Sequence, residues 1–306
     1  MTALAAAPLV VALLLRMFAD HLARRLRPSL AVPLLTGLAL SVALCTGLVL
    51  SILAVLVCVQ VGPLPRLGHW SASTLHAGVG FPAPLGILAL MVVAGCLVAA
   101  GVRSARSVHS LLSAGRMARQ LQPVTGDLVL VHDETPTAYS VAGLPGRIVV
   151  STSMLSALLP AERRVLLAHE AAHLRHRHHL YLHLALLAAS ANPLLRPCAD
   201  AVARAIERWA DEDAADEVGD RPLAARALAR AALARAAHPA VRHALSAADD
   251  RVAERVQLLL ASPPIQRRLP IALIMMAALV SWCAAGSITL WAHDLLQLAE
   301  QAYPGS

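Results

Sequence analysis

The sequence predicts a mainly α membrane protein: four transmembrane helices, with a cytoplasmic α+β domain between helices three and four. Three observations predict it. Of 306 residues, 58% are hydrophobic and the mean hydropathy is +0.62, more apolar than soluble domains usually are. Four apolar runs, 2–18, 31–61, 84–102 and 271–291, lie near or above the ~20 residues that cross a bilayer. Between the third and fourth runs the pattern changes to short alternating segments and then to long helical periodicity.

The first run is short. It lacks a positively charged start, and arginines follow it rather than precede it, so it reads as a span and not a signal peptide. The second is long enough to cross with tilt, and the other two are of ordinary spanning length. Arginines set the orientation. Arg16, Arg24, Arg25 and Arg27 flank or follow span one, and only Arg66 lies between spans two and three. Arg103, Arg106, Arg116 and Arg119 follow span three, Arg267 and Arg268 precede span four, and none follows it. The positive-inside rule then places the N-terminus outside, 103–268 in the cytoplasm and the C-terminus outside. The expected organisation is a membrane region over 1–102, a cytoplasmic domain over 103–268, and a fourth span with a short outer tail over 269–306. A bacterial cytoplasmic (inner) membrane is the expected location.

The net charge of +7 comes wholly from arginine, since the chain has no lysine. These arginines flank apolar runs, so they speak for topology and a bilayer partner, and no direct nucleic-acid contact is expected. Of the five cysteines, Cys45, Cys58, Cys96, Cys198 and Cys283, four lie in apolar runs and none forms a C-x-x-C pair, which speaks against a disulfide framework or a cysteine zinc site.

Within 103–268, a basic helix-like stretch runs to about residue 121. "DLVLVHDE", "TAYSVAG" and "RIVVSTSML" then read as two or three short strands of a small sheet. From Pro160 to Pro263 the pattern is almost wholly helical. Its first part holds "LLAHEAAHLRHRHHLYLH", with six histidines in residues 166–183.

His169-Glu170-Ala171-Ala172-His173 is H-E-x-x-H. On a helix, residues i and i+4 share a face, so both imidazoles reach one zinc ion per chain. Glu170 stands beside them, where its carboxylate takes a proton from a metal-bound water. The strand around Ala138 and Tyr139 is the expected edge for an extended peptide substrate. Tyr181 and His243 are candidates for stabilising an oxyanion.

The third ligand has two candidates. His179 occupies the position of the last histidine in H-E-x-x-H-x-x-G-x-x-H, but His176 stands where that pattern needs glycine. The apolar run "LYLHLALLAA" is expected to continue the helix and carry His179 away. His176, His178, His179 and His183 then read as a basic helix near an anionic leaflet. The distal candidate is Glu207, at i, i+4 from Asp211 in "ARAIERWADEDAAD". Glu207 would complete a His-His-Glu site and Asp211 would accept from a ligand imidazole. Spacing alone does not separate this from one solvated acidic face.

H-E-x-x-H followed by Glu207-Arg208-Trp209-Ala210-Asp211, with Asn192-Pro193-Leu194 between, resembles the BlaR/MecR-type antirepressor metallopeptidases of the gluzincin clan. The four-span layout resembles that family too. The resemblance implies an α+β gluzincin domain, Glu207 as third ligand and Asp211 behind a ligand histidine. It further implies a zinc endopeptidase in signal transduction by regulated proteolysis, cutting a cytoplasmic protein such as a winged-helix repressor. Two departures stand out: "RHRHH" follows the zinc helix, and the C-terminal penicillin-binding sensor domain of the β-lactam receptors is lacking. The chain also has no lysine for the S-x-x-K and K-T-G motifs of such a sensor.

The heat-shock and prenyl-protein peptidases of the same clan imply an alternative role in membrane-protein quality control. Their later Arg-Ile motif has an echo in Glu254-Arg255-Val256, which would bring Arg255 to the site. A third reading, a non-enzymatic zinc-binding membrane protein, needs intramembrane ligands, and spans two to four hold no Asp, Glu or His.

Overall fold

The computed structural model describes residues 2–60, 69–79, 83–238, 246–262 and 268–303. Three of its helices are long and apolar enough to cross a membrane: α3 (Pro28–Gln60), α5 (Ala83–Gln120) and α12 (Arg268–Gln301). The first apolar run forms α1 (Thr2–Ala5) and α2 (Ala7–Arg25) and is not among them. The reason is charge: any eighteen-residue window of α2 includes Arg16, Asp20 and Arg24. One face of α2 is nonetheless buried through Val11, Leu15 and Ala19, while Leu13, Leu14, Met17 and Phe18 point outward.

Helix α3 is central, packing against α2, α5, α12 and a short helix, α4 (Ala72–Val79). Its contact with α5 is close enough at Gly86 that a Cβ there would collide with Val57. The basic stretch after the third run does not begin a new element. It continues α5 as one 38-residue helix ending at Gln120.

Three strands follow: β1 (Leu128–Val131), β2 (Ala138–Val141) and β3 (Arg147–Ser151). The order is β1-β3-β2, with β3 parallel to β1 and antiparallel to β2. Central β3 buries Ile148, Val149 and Val150 on both faces, as a strand covered on both sides must. Strand β2 is an edge.

Ser151 ends β3 and caps α6 (Thr152–Ala157), its hydroxyl accepting from the Met154 N–H at 3.1 Å. Helix α7 (Pro160–Arg175) begins with Pro160, and the Glu162 carboxylate accepts from the Leu159 N–H at 2.9 Å. That carboxylate is buried and paired with Arg230 at 2.9 Å.

The expected continuous helix through 175–185 does not form. Helix α7 stops at Arg175, Arg177 adopts a left-handed conformation (φ 51°, ψ 43°), and α8 (His178–Ala191) starts in a new direction. A turn without glycine is absent from pattern rules, yet the backbone makes it. Asn192 ends α8, its side-chain oxygen accepting from Leu194 N–H at 3.2 Å in the turn Pro193–Leu195. Helix α9 (Arg196–Val218) follows and ends at Gly219, whose φ of 70° is the left-handed stop glycine takes most readily. Asp220 caps α10 (Arg221–Ala237) by accepting from Leu223 N–H at 2.8 Å. Helix α11 (Ser246–Leu260) packs on α10.

The largest apolar cluster joins α2 and α3 to α8, the first half of α9 and Ile274 of α12. Thus α8 and α9 lean on the membrane helices. A second cluster, including Val165, Ala168, Ala214, Ala224 and Leu259, binds α7 to α9, α10 and α11. A third, including Ile148, Val150, Met154, Leu166 and Ala231, seats the sheet on α7 and α10. The many alanines keep helix propensity high and let the axes approach closely.

Candidate metal centre

Two helices build the site. Packing of Val165, Leu166 and Ala168 fixes the roll of α7, so His169 and His173 face α9. Helix α9 crosses α7 and presents Glu207 and Asp211, one turn apart, to those imidazoles.

The imidazole Nε2 atoms of His169 and His173 lie 3.2 Å apart. Glu207 Oε2 is 3.8 Å from the first and its Oε1 is 3.7 Å from the second. Among the described residues, this trio is the one group whose donor atoms all lie within 4.8 Å of one another. Tetrahedral zinc with bonds of about 2.05 Å holds its ligand atoms roughly 3.3 Å apart. The donor set, two neutral imidazoles and a carboxylate with a fourth direction open to the cavity, therefore fits zinc.

Each imidazole is held from behind. His169 Nδ1 lies 3.1 Å from Asp211 Oδ1. Asp211 is buried and takes two 2.7 Å bonds from Arg255, through Nε and Nη2. Arg255 Nη1 also lies 3.0 Å from Glu207 Oε2. His173 Nδ1 meets His178 Nδ1 at 3.1 Å. His178 is buried, lies against the Trp209 ring at 4.9 Å, and its own Nε2 finds no partner. His176 stacks on the other part of this group, 4.4 Å from Trp209, and bonds Asp213 at 2.6 Å.

The electrostatics separate the two imidazoles. Burial opposes a charge on His169, but the hydrogen bond and charge of Asp211, with Glu207, outweigh it and raise its pKa. Burial, with the neighbouring His169, takes His173 down to about 4, and burial with His173 takes His178 down to about 3. Both stay neutral at physiological pH. Burial alone would raise Asp211, but Arg255 and His169 hold it well below the usual carboxylate range. Glu170 is buried, and burial pushes its carboxyl up against the opposing influence of His169. A carboxylate so raised is a better proton acceptor than an ordinary one.

His169, Glu170, His173 and Glu207 line a cavity of about 300 Å³. Ala138, Tyr139 and Ser140 of edge strand β2 form its opposite wall, and Arg235 of α10 and Arg255 of α11 stand at its side.

Residues 103–273, more than half of the chain, match the family model of Peptidase family M48. The chain belongs to peptidase family M48. No curated protein matches it significantly, and no solved structure does. M48 peptidases are zinc-dependent, and the His169, His173 and Glu207 trio supplies this M48 chain with a set of atoms suited to that ion.

The expected site residues are distributed unevenly around this M48 centre. Ala138, Tyr139 and Arg255 line the cavity. Tyr181 does not line it: the ring sits half-buried in the cluster shared with α3, 6.5 Å from Trp209. His243 lies outside the described residues. The picture of four histidines on a solvated face is corrected by burial and contacts. His178 is buried behind His173, and His176 is engaged with Asp213 and Trp209. His179 and His183 are half-buried one turn apart on α8. The acidic run of α9 is also not one solvated face. Asp211 is buried, and Glu212, Asp213 and Glu217 pair with Arg221, Arg175 and His176. His178, Trp209 and Arg235 had no sequence signal, because the turn at Arg177 carries neither glycine nor proline and Arg235 sits in an Ala/Arg-rich stretch.

Proposed function

We propose that this membrane-associated M48 metallopeptidase is a zinc endopeptidase that cleaves a protein segment bound in extended form along β2. The observation that carries the reading is the convergence of two Nε2 atoms and the Glu207 carboxylate beside buried Glu170, in a cavity walled by a free strand edge. Zinc bound there would acidify a water and polarise the scissile carbonyl. Glu170, buried beside the two imidazoles, would take a proton from the attacking water and return it to the leaving amine. The edge of β2 that is unpaired among the described residues offers N–H and C=O groups to the substrate backbone. Asp211 and His178 hold the two imidazoles in register through their Nδ1 atoms.

Glu170→Gln separates ligation from catalysis. The purified variant is expected to retain zinc and to lose peptide turnover, with both measured on one preparation. Turnover near wild type would remove Glu170 from the base role.

For the substrate, we infer a cytoplasmic protein, on the arginine distribution along the chain. Cysteine labelling near Arg116 is expected only in permeabilised cells, and labelling in intact cells would reverse the orientation. The resemblance to BlaR/MecR-type peptidases favours a winged-helix repressor and a signalling role. A second reading has its own observation. Arg255, from the segment that echoes the heat-shock peptidases, bonds Asp211 and Glu207, which favours turnover of misfolded membrane proteins. Comparing repressor abundance and misfolded membrane proteins in cells with wild type or Glu170→Gln decides between them.

A further inference from the structure

A second cavity, of about 530 Å³, adjoins the metal site. Its walls come from α2, the start of α8, the first half of α9, α10 and α11. The two cavities share Glu207, Arg235 and Arg255, so the metal ligand Glu207 stands on the sill between them. Nothing in the peptide-hydrolysis reading requires this second chamber.

Its charge is unbalanced. Six arginines line it against four carboxylates. Three of those carboxylates are already taken. Asp20 pairs with Arg24 and Arg204, each at 2.8 Å, Glu254 with Arg24 at 2.6 Å, and Glu207 with Arg255 at 3.0 Å. Arg208 and Arg235 have no carboxylate within ion-pair distance among the described residues. Arg208 Nη1 donates to the Ala23 carbonyl at 3.3 Å, and Arg235 Nε donates to the Ala231 carbonyl at 3.4 Å. A guanidinium carries five N–H donors, so most of each fork is unused. Glu207 would lose its negative contribution to the chamber on binding a divalent metal, which leaves the excess of positive charge larger still.

We propose that this chamber is a specificity subsite for a carboxylate of the substrate, bound by Arg208 and Arg235 next to the scissile bond. The inference rests on the endopeptidase reading. The chemistry is that of a planar fork meeting a planar carboxylate, which arginine binds in bidentate fashion. An Asp or Glu side chain and a free C-terminal carboxylate both satisfy it. Position explains the use. Ala138, Tyr139 and Ser140 of β2 line the metal-site cavity, and Glu207, Arg235 and Arg255 line both cavities, so a substrate extending beyond Glu207 would reach the arginine chamber.

The test uses the full-length zinc-loaded protein in nanodiscs and a synthetic peptide library with mass-spectrometric identification of cut sites. Wild type is expected to favour peptides with Asp or Glu at one fixed position from the cut by about tenfold over the Asn or Gln counterparts. A preference for free-acid over amidated C-termini at that position would instead assign the carboxylate to the chain end. Arg208→Gln is expected to lower the acidic-to-neutral ratio by about tenfold, and Arg208→Lys to restore part of it. Because the ratio is internal to each sample, a partly folded variant still reports. Library cleavage with no acidic or C-terminal preference overturns the subsite but leaves the peptidase reading intact. No cleavage by zinc-loaded wild type overturns both. A ratio unmoved by Arg208→Gln, with activity instead dependent on anionic lipid in the nanodisc, reassigns the chamber to a lipid headgroup and sinks the proposal.

Discussion

The two ligand histidines sit one helical turn apart on α7, yet they are supported by opposite means. Behind His169 stands a full charge system: Asp211 from α9, gripped at both oxygens by Arg255 from α11. Behind His173 stands a neutral imidazole, His178, five residues further along the same chain, with no partner for its own Nε2. The first support is assembled from three helices and exists only in the folded domain. The second is local and depends on one backbone turn. Carboxylate backing makes an imidazole more electron-rich and tolerates a proton in the hydrogen bond. Imidazole backing fixes orientation and tautomer and adds no charge. His173 with its proton on Nδ1 points Nε2 at the metal position, and His178 must then be the acceptor.

The largest change comes from removing the group both sides converge on. Glu207→Ala is expected to weaken zinc by more than about 100-fold, beyond the range typical of outer partners. His179→Ala should leave zinc stoichiometry intact. A competition titration against a chromophoric chelator reads both. An empty site in His179→Ala with a filled one in Glu207→Ala would reverse the ligand assignment.

Next comes the charged side. Asp211→Ala removes the acceptor of His169 and takes two of the ion-pair bonds of Arg255, which is largely buried and keeps Glu207 as a partner. Zinc affinity is expected to fall about 10–100-fold, and the protein to lose about 3 kcal/mol of stability because a largely buried guanidinium loses its doubly bonded carboxylate. Arg255→Met with Asp211→Asn, which removes both charges, should recover much of the stability but not the affinity. Thermal melting beside the zinc titration separates the two effects. If the double variant melts as low as Asp211→Ala, the under-paired guanidinium is not the cause.

The neutral side predicts less. His178→Ala should cost about 10-fold in zinc affinity, at the low end for an outer partner. His178→Asn, whose carbonyl oxygen can accept from the His173 Nδ1–H, should stay closer to wild type. Equal losses in both variants would mean that His178 matters for packing against Trp209 and not for its acceptor.

Much of this was legible in the sequence, for identifiable reasons. Apolar runs long enough to span a bilayer are compositional, so 31–60, 84–102 and 271–291 fall within α3, α5 and α12, the last two of which run on well past the expected ends. The weaker run at 2–18 leads into Arg16 and Asp20, and its helix lies partly buried against α3 and α9. Two or three strands followed from alternation and from Pro and Gly between them, and three form. His169, Glu170 and His173 were legible because a four-residue spacing is fixed by the helix itself. Glu207 was half legible: a row of acids on a helix reads alike whether one of them faces a metal or all face water. Arg255 lies 44 residues beyond Asp211, and only tertiary packing brings them together. His178 was hidden by a turn that local rules do not announce.

That turn gives the smallest and most selective test of the comparison. Arg177 is left-handed, a conformation costing a non-glycine residue about 1–2 kcal/mol. Glycine relieves this strain but adds unfolded-state entropy of nearly the same size. Arg177→Gly is therefore expected to change stability by less than about 1 kcal/mol and to leave zinc affinity unchanged. A β-branched residue is far less compatible with positive φ. Arg177→Val should push the chain toward continuing α7 into α8, which would swing His178 away from His173. Its zinc affinity should then fall to the level of His178→Ala, and adding His178→Ala to Arg177→Val should cost nothing more, since both remove the same hydrogen bond. The charged side supplies the control: Arg177→Val and Asp211→Ala act on different imidazoles, so their losses should add. If Arg177→Val binds zinc as wild type does, the left-handed turn does not set the position of His178, and the local half of the comparison fails while the Asp211 half stands.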